Sequence, residues 1–340
     1  MTTYSYRLSH PRQQALLVAL SRAALSRAAL AAGLVTGADF DLDFHAIMNW
    51  RADVARERHY VPRRSQRTRS GLSFFAQDAG THTLVYANAD LTKATQRAEV
   101  IAFAEHWKAA AGSWPAQLVF DSRLTTQRQL VALDERGIRF LTLRTRSPAV
   151  LAQIAAIPAS AYRQVTLDPT GPHRTPKIAD TTVRLSAYPH PIRQLVSTGL
   201  GHDEPTVLIT NDTASSPKQL LERYAHRMTI EQRLGEAIRA FHIDALAGAV
   251  PLNVDLDVTL SVLAHTVCAA LRRRLPGYQA ATPDTLQRRF LSTGGTIYTN
   301  GDGITVRLDR RTYSPVLRSA DLPDTAIPWW GGRTLHLDYA

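Results

Sequence analysis

Residues 39–47 read DFDLDFHAI, and no other stretch constrains the fold as strongly. Asp39, Asp41, Asp43 and His45 alternate with Phe40, Leu42, Phe44 and Ala46. A period of two belongs to a β-strand, whose successive side chains point to opposite faces. One face is apolar and suits a core, and the other is polar.

The stretches that follow build outward from this strand. GLSFFAQD (71–78) and HTLVYANAD (82–90) read as two more strands joined by the short turn Ala79-Gly80-Thr81. Residues 93–111 read as a helix, with Val100, Ile101, Ala104 and Trp107 at helical spacing and Gly112 as its stop. QLVFD (117–121) is a buried strand ending on a carboxylate, residues 126–136 a short helix, and 138–144 another strand. The first three strands suit an antiparallel meander, and the later ones, each reached through a helix, suit parallel addition. The predicted class is α/β: a mixed sheet flanked by helices.

Residues 11–34 read as an Ala- and Leu-rich helix in which SRAAL occurs twice, and residues 1–38 form an N-terminal helical segment. The first part of the core covers 39–144. Prolines from Pro148 to Pro191 then punctuate short β-branched pieces, so 145–210 reads as a β-rich insertion. Helices return at 216–242 and 256–275, giving a helical second part over 211–280. The tail, 281–340, carries a hairpin signal in IYTNGDGITVRL. Trp329 and Trp330 near its end are expected to clamp on the core, with base stacking as the alternative.

The chain has 340 residues and a formal charge of +11, which points to a polyanionic partner, nucleic acid first. Its single cysteine, Cys268, excludes an internal disulfide and a multi-cysteine zinc site and fits a reducing cytoplasm. Arg22 and Arg27 interrupt the first apolar stretch, so neither a signal peptide nor a membrane span is expected. The basic run of Arg56, Arg58, Arg63, Arg64, Arg67 and Arg69 is a candidate DNA-backbone contact, the alternative being a solvated loop.

Asp121, at the end of its strand, either caps the next helix or holds a ligand. A second carboxylate stands in YAHRMTIEQRL: Tyr224, Arg227 and Glu231 fall on one stripe of the 216–242 helix, beside the apolar stripe of Ile230, Leu234, Ile238 and Phe241. Alone, Arg227 and Glu231 are also consistent with an ordinary surface pair four residues apart.

Together, LDFHAI, HYVPRRSQRTRS, FFAQD, LVYANADLTKA, LVFDSRLTT, GIRFLTLRTRS and YAHRMTIE resemble, in order, the DDE transposases of bacterial insertion sequences. The likeness is to the group with a Tyr-x2-Arg-x3-Glu signature, and it covers about residues 39–275. It implies an RNase H-like fold with a β-rich insertion before the helix that bears the catalytic Glu. The implied catalytic and metal-binding set is Asp43, Asp121 and Glu231, holding two Mg²⁺ or Mn²⁺ ions. Carboxylate oxygens suit such hard cations. The implied reaction is metal-dependent cleavage at an element end, followed by attack of the freed 3′-OH on another strand. Tyr224 and Arg227 would grip a phosphate. Ile238 stands where the signature continues with Lys, and the adjacent Arg239 is the candidate for that DNA contact. A homodimer on double-stranded DNA is the implied assembly. With 42 residues before Asp43, a truncated or divergent copy is expected. Asp78 and Asp90 are alternatives to Asp43; Asp41 and His45 share its face.

Overall fold

The structure, a computed structural model, describes residues 9–48, 57–61, 66–168, 175–201, 203–243, 251–301 and 303–339. Strand β1 (Asp39–Met48) realises the alternation. Phe40 and Leu42 are fully buried, and the Phe40 ring lies 4.5 Å from Trp107 and 5.2 Å from Phe103, centroid to centroid.

After β2 (Arg58–Val61), β3 (Gln66–Asp78) runs antiparallel to β1, from Phe40 opposite Asp78 to Met48 opposite Ser70. Its first residues reach beyond β1 and pair with β2 instead. Strand β4 (Leu84–Leu91) pairs antiparallel with β3.

Helix α1 (His10–Leu20) precedes these strands and continues through a wider, π-helical stretch, Ser21–Ala28, to Ala31. Helix α2 (Glu99–Ala111) follows them. It buries Val100, Phe103, Ala104 and Trp107, one apolar stripe, each of the large side chains worth roughly 1.5–3 kcal/mol. It ends where Gly112 takes φ of 82° and its N–H bonds back to Lys108 O.

The chain then adds β5 (Gln117–Phe120) parallel to β1 and, through α3 (Gln127–Glu135), β6 (Arg139–Leu143) parallel to β5. The order β4-β3-β1-β5-β6 is the meander plus parallel additions that the connections predict.

The proline-punctuated stretch continues this sheet. It contains α4 (Pro148–Ala155), β7 (Tyr162–Gln164), β8 (Lys177–Val183), β9 (Ile192–Thr198) and β10 (Thr206–Thr210). β10 pairs antiparallel with β6, and β9, β8 and β7 follow outward, for a mixed sheet of ten strands among the described residues.

The helix expected over 216–242 is two helices, α5 (Pro217–His226) and α6 (Thr229–Phe241). At the junction the N–H groups of Arg227, Met228, Ile230 and Glu231 each bond three residues back, a tighter turn than an α-helix makes. Ile230, Leu234 and Ala237 of α6 share a core with Phe75, Leu84 and Ala87 of the sheet. Val254, Val258 and Val262 of α7 (Pro251–Arg274) complete it.

Two helical stretches, Pro11–Ala31 and Val254–Arg274, are long and apolar enough by composition to cross a membrane; half of the second is buried inside the protein.

Beyond α8 (Pro283–Leu286) the tail forms a sheet of four strands among the described residues. It comprises β11 (Gly295–Asn300), β12 (Gly303–Leu308), β13 (Thr325–Ile327) and β14 (Arg333–Tyr339), with α9 (Ser314–Ser319) between β12 and β13. The expected hairpin is β11–β12. The expected tryptophan clamp is not formed: Trp329 is 78% exposed and Trp330 53%, because they sit in a turn outside the sheet.

Candidate functional site

Strand β1 turns Asp41 and Asp43 to one face, and the C-terminal end of α5 supplies Arg223 and Arg227 to meet them. Two residues along a strand span about 6.6 Å, and four along a helix about 6 Å, so two aspartates and two arginines at these spacings meet in pairs. Arg223 Nη1 donates to Asp41 Oδ1 at 2.6 Å, and its Nε donates to Gln117 Oε1 at 3.0 Å. Asp41 is wholly buried, with His226 Nδ1 3.8 Å from its other oxygen. Arg227 Nη1 lies 3.4 Å from Asp43 Oδ1 and donates to Leu42 O at 3.3 Å. The Arg227 guanidinium also stands 5.5 Å from the centre of the Tyr224 ring.

Asp121 and Glu231 act on Asp43 through their charge. Asp121 follows β5, the parallel neighbour of β1. Glu231 is exposed in the first turn of α6, where the helix dipole favours a carboxylate. Burial pushes the Asp43 carboxyl up to about 6; Arg227 pulls it down, while the negative charges of Glu231 and Asp121 raise it further. Burial also pushes the Tyr224 phenol up to about 12, with Asp121 and Asp43 adding to the rise and Arg227 opposing it. Arg227 is depressed by burial, but Asp43, Tyr224, Asp121 and Glu231 together hold it above the usual guanidinium value. These five side chains therefore form one electrostatic unit.

The competing readings of these residues resolve in physical terms. Helix α3 is capped by Thr126 and Gln129, with Thr126 N donating to Gln129 Oε1 at 2.8 Å, so Asp121 is not its cap. Ser122 Oγ donates to Asp121 Oδ1 at 3.0 Å. Arg227 is not half of an exposed pair with Glu231: its side chain is 6% exposed and turned onto Asp43. Asp78, the first alternative to Asp43, is fully buried and structural. Its Oδ2 accepts from Thr36 N, Thr36 Oγ1 and Gly37 N, and its Oδ1 from Thr81 N and Thr81 Oγ1, all at 2.8–2.9 Å. Asp90 accepts from Gln14 Nε2 at 2.7 Å, on the outer strand β4. His45 is half-buried on β1.

The DNA-binding candidates are dispersed. Arg239 is exposed in the last turn of α6. Arg67 is exposed on the β2–β3 ribbon, where it pairs with Tyr60, and Arg58 pairs with Arg69 in the same register. Arg56, Arg63 and Arg64 lie outside the described residues.

Among the described residues, no group of three His, Cys, Asp or Glu side chains is gathered closely enough to hold a metal ion as the side chains stand. The donor chemistry is nonetheless that of a hard divalent cation. Asp43, Asp121 and Glu231 offer only oxygens, and the upward displacement of Asp43 comes first from burial, with Glu231 and Asp121 adding to it against the pull of Arg227. A groove of about 810 Å³ opens from Asp121 and Ser122, past Arg144 and Arg146, to Glu204 and Thr206 beside β10.

Sequence reasoning missed Arg223 and gave Asp41 no role. The signal was present: Asp41-x-Asp43 on a strand and Arg223-x3-Arg227 on a helix are matched repeats. Compared with known proteins, the chain matches no family model and no curated protein.

Proposed function

We propose that this chain is a DNA transposase of the DDE type, built on an RNase H-like core and acting on element ends and target DNA. The observation that carries this reading is the electrostatic convergence of Asp43, Asp121 and Glu231, from two parallel strands and a helix, around Arg227 and Tyr224. The strand order β4-β3-β1-β5-β6, antiparallel on one side of β1 and parallel on the other, is the order an RNase H-like core requires, and it supports the fold part of the proposal.

In this reading Asp43, Asp121 and Glu231 hold two Mg²⁺ or Mn²⁺ ions. Such ions activate water and stabilise the leaving oxygen in phosphoryl transfer. Arg227, with its Nε unpartnered and buried among the described residues, grips a phosphate beside the scissile bond while Tyr224 backs its guanidinium. Arg239 and the arginines of the β2–β3 ribbon contact the backbone of double-stranded DNA. The partners are then element ends and target DNA, with a homodimer as the working assembly and the bacterial cytoplasm, at the nucleoid, as its place.

The test is nicking of supercoiled plasmid in Mn²⁺, followed by joining of a 3′-OH oligonucleotide to target DNA. Wild-type protein is expected to do both, and Asp43→Asn, Asp121→Asn and Glu231→Gln neither. Nicking without joining points to a nuclease of the same fold. A second reading, a catalytically inactive DNA-binding remnant, is favoured by the guanidinium that now supplies the counter-charge to Asp43. Salt-dependent DNA binding with no nicking in Mn²⁺ would select it.

A further inference from the structure

The C-terminal sheet carries a feature that the carboxylate site does not use. A pocket of about 570 Å³ lies at the link between β12 and α9, lined by Arg310, Arg311, Thr312, Ser314, Pro315 and Arg318. No carboxylate lines it. Neighbouring arginines are neutralised: Arg288 pairs with Asp284 at 3.1 Å and Arg307 with Asp338 at 2.7 Å. Among the described residues Arg310, Arg311 and Arg318 have no such partner.

Two of these three arginines are held in place without losing their charge. Arg311 Nη1 donates to Ser292 O at 2.7 Å, and Arg318 Nη2 donates to Tyr339 O at 2.9 Å. A carbonyl positions a guanidinium but leaves its positive charge whole, and each guanidinium keeps further N–H donors. The link itself is anchored. Tyr313 packs on Phe290 with ring centroids 5.9 Å apart, Arg289 stands 4.8 Å over the Tyr313 ring, and buried Ser314 accepts from Arg311 N at 2.9 Å. Three uncompensated guanidinia and the Thr312 hydroxyl thus surround a preformed, solvent-open pocket. Its chemistry suits an oxyanion that accepts several charge-assisted hydrogen bonds.

We propose that this pocket binds a phosphate group, using Arg310, Arg311 and Arg318. The site is remote in sequence from Asp43, Asp121 and Glu231 and does not depend on the transposase reading. The phosphate has two possible sources, a nucleic-acid backbone or free inorganic phosphate.

Two titrations of the full chain separate them. Fluorescence anisotropy of a labelled oligonucleotide is measured against salt for wild type, for Arg310→Gln/Arg318→Gln and for Arg288→Gln, which removes an arginine already neutralised. Thermal unfolding is then followed for the same proteins in inorganic phosphate against chloride at equal ionic strength. If the backbone is the ligand, the double variant binds about tenfold more weakly and its salt slope is shallower by about one per arginine removed, while Arg288→Gln stays near wild type. If free phosphate is the ligand, oligonucleotide binding is unchanged, and the phosphate-dependent rise in melting temperature is lost in the double variant alone. Arg310→Gln by itself, at an exposed position, checks that neither loss comes from misfolding. Equal behaviour of the double variant and Arg288→Gln in both titrations overturns the proposal.

Discussion

Asp41 and Asp43 sit two residues apart on one strand, each facing an arginine from the same helix end, yet their surroundings differ. Asp41 is wholly buried and meets Arg223 at 2.6 Å, and the arginine is braced by Gln117. Asp43 stands 3.4 Å from Arg227, keeps 19% of its side chain exposed, and is pushed up to about 6, first by burial, with Glu231 and Asp121 adding to the rise. The inner pair is the shorter one and fastens α5 to β1, with Asp41 Oδ2 and Arg223 Nη2 left without a hydrogen-bond partner among the described residues. The outer pair is one cation among three carboxylates, a surplus of negative charge held at the surface. A fold can keep such a surplus only if something nearby is stable enough to hold it, and the inner pair is placed to do that.

The sharpest way to break this comparison is Arg223→Ala. Removing one partner of a buried ion pair leaves Asp41 charged and unpaired, at a cost of roughly 3–5 kcal/mol. Urea denaturation monitored by circular dichroism measures it. A loss under about 1 kcal/mol, smaller than an ordinary buried hydrogen bond to a charged group, would show that the inner pair does not fasten the helix.

The outer pair should respond in the opposite sense. A carboxylate raised from 3.8 to about 6 binds more protons folded than unfolded between those values, so its contribution to stability falls as pH rises through that window. Asp43→Asn removes this penalty. The variant is expected to be more stable than wild type by roughly 1–3 kcal/mol at pH 7.5, with the gain vanishing by pH 4. Denaturation at the two pH values checks it; a destabilised variant at pH 7.5 would mean that Arg227 needs Asp43 more than Asp43 is strained by its neighbours. His265 gives an opposing pH signal that must be separated. Burial and then nearby Arg272 and Arg233 bring it down to about 3, so acidification below its ordinary value of 6.5 destabilises the fold.

A divalent cation offers a gentler probe. If the surplus charge is a metal site, Mn²⁺ at ten times its dissociation constant should stabilise wild type by about 1.4 kcal/mol. Asp43→Asn and Glu231→Gln should lose most of that shift. Thermal unfolding with and without chelator reads it without any need for activity, and an equal shift in all three proteins would remove the metal from the proposal.

How much of this was legible in the sequence differs from residue to residue. The alternation in 39–47 placed Phe40 and Leu42 in the core and Asp41 and Asp43 on the opposite face, because a period of two has no other reading. The antiparallel pairing of β1, β3 and β4 and the parallel addition of β5 and β6 followed from which strands are joined by a turn and which by a helix, whereas the extension of the same sheet by β7 to β10 did not. The break at Arg227–Met228 was not legible: neither Gly nor Pro marks it, and the apolar stripe from Ile230 onward keeps helical spacing on its own. Nor was the partner of Arg227. An arginine four residues before a glutamate on one helix suggests a local pair, and only the approach of β1 in three dimensions offers Asp43 instead.

The smallest effect separates two uses of a carboxylate at a strand end. In the sequence alone, a helix cap was the rival reading of Asp121. In the structure Thr126 and Gln129 close the capping box of α3. Thr126→Ala should therefore cost about 1 kcal/mol, the ordinary value of a lost cap. Asp121→Asn should cost nothing measurable, and by removing one of the charges that burden Asp43 it should lower the pH at which Asp43 titrates. Equilibrium unfolding of the two variants, with NMR titration of the Asp43 carboxyl in the second, tests both halves. If Asp121→Asn costs as much as Thr126→Ala, Asp121 is serving the helix rather than the cluster. The outer pair would then have two carboxylate members instead of three, and the proposed cation site would lose one of its three oxygen donors.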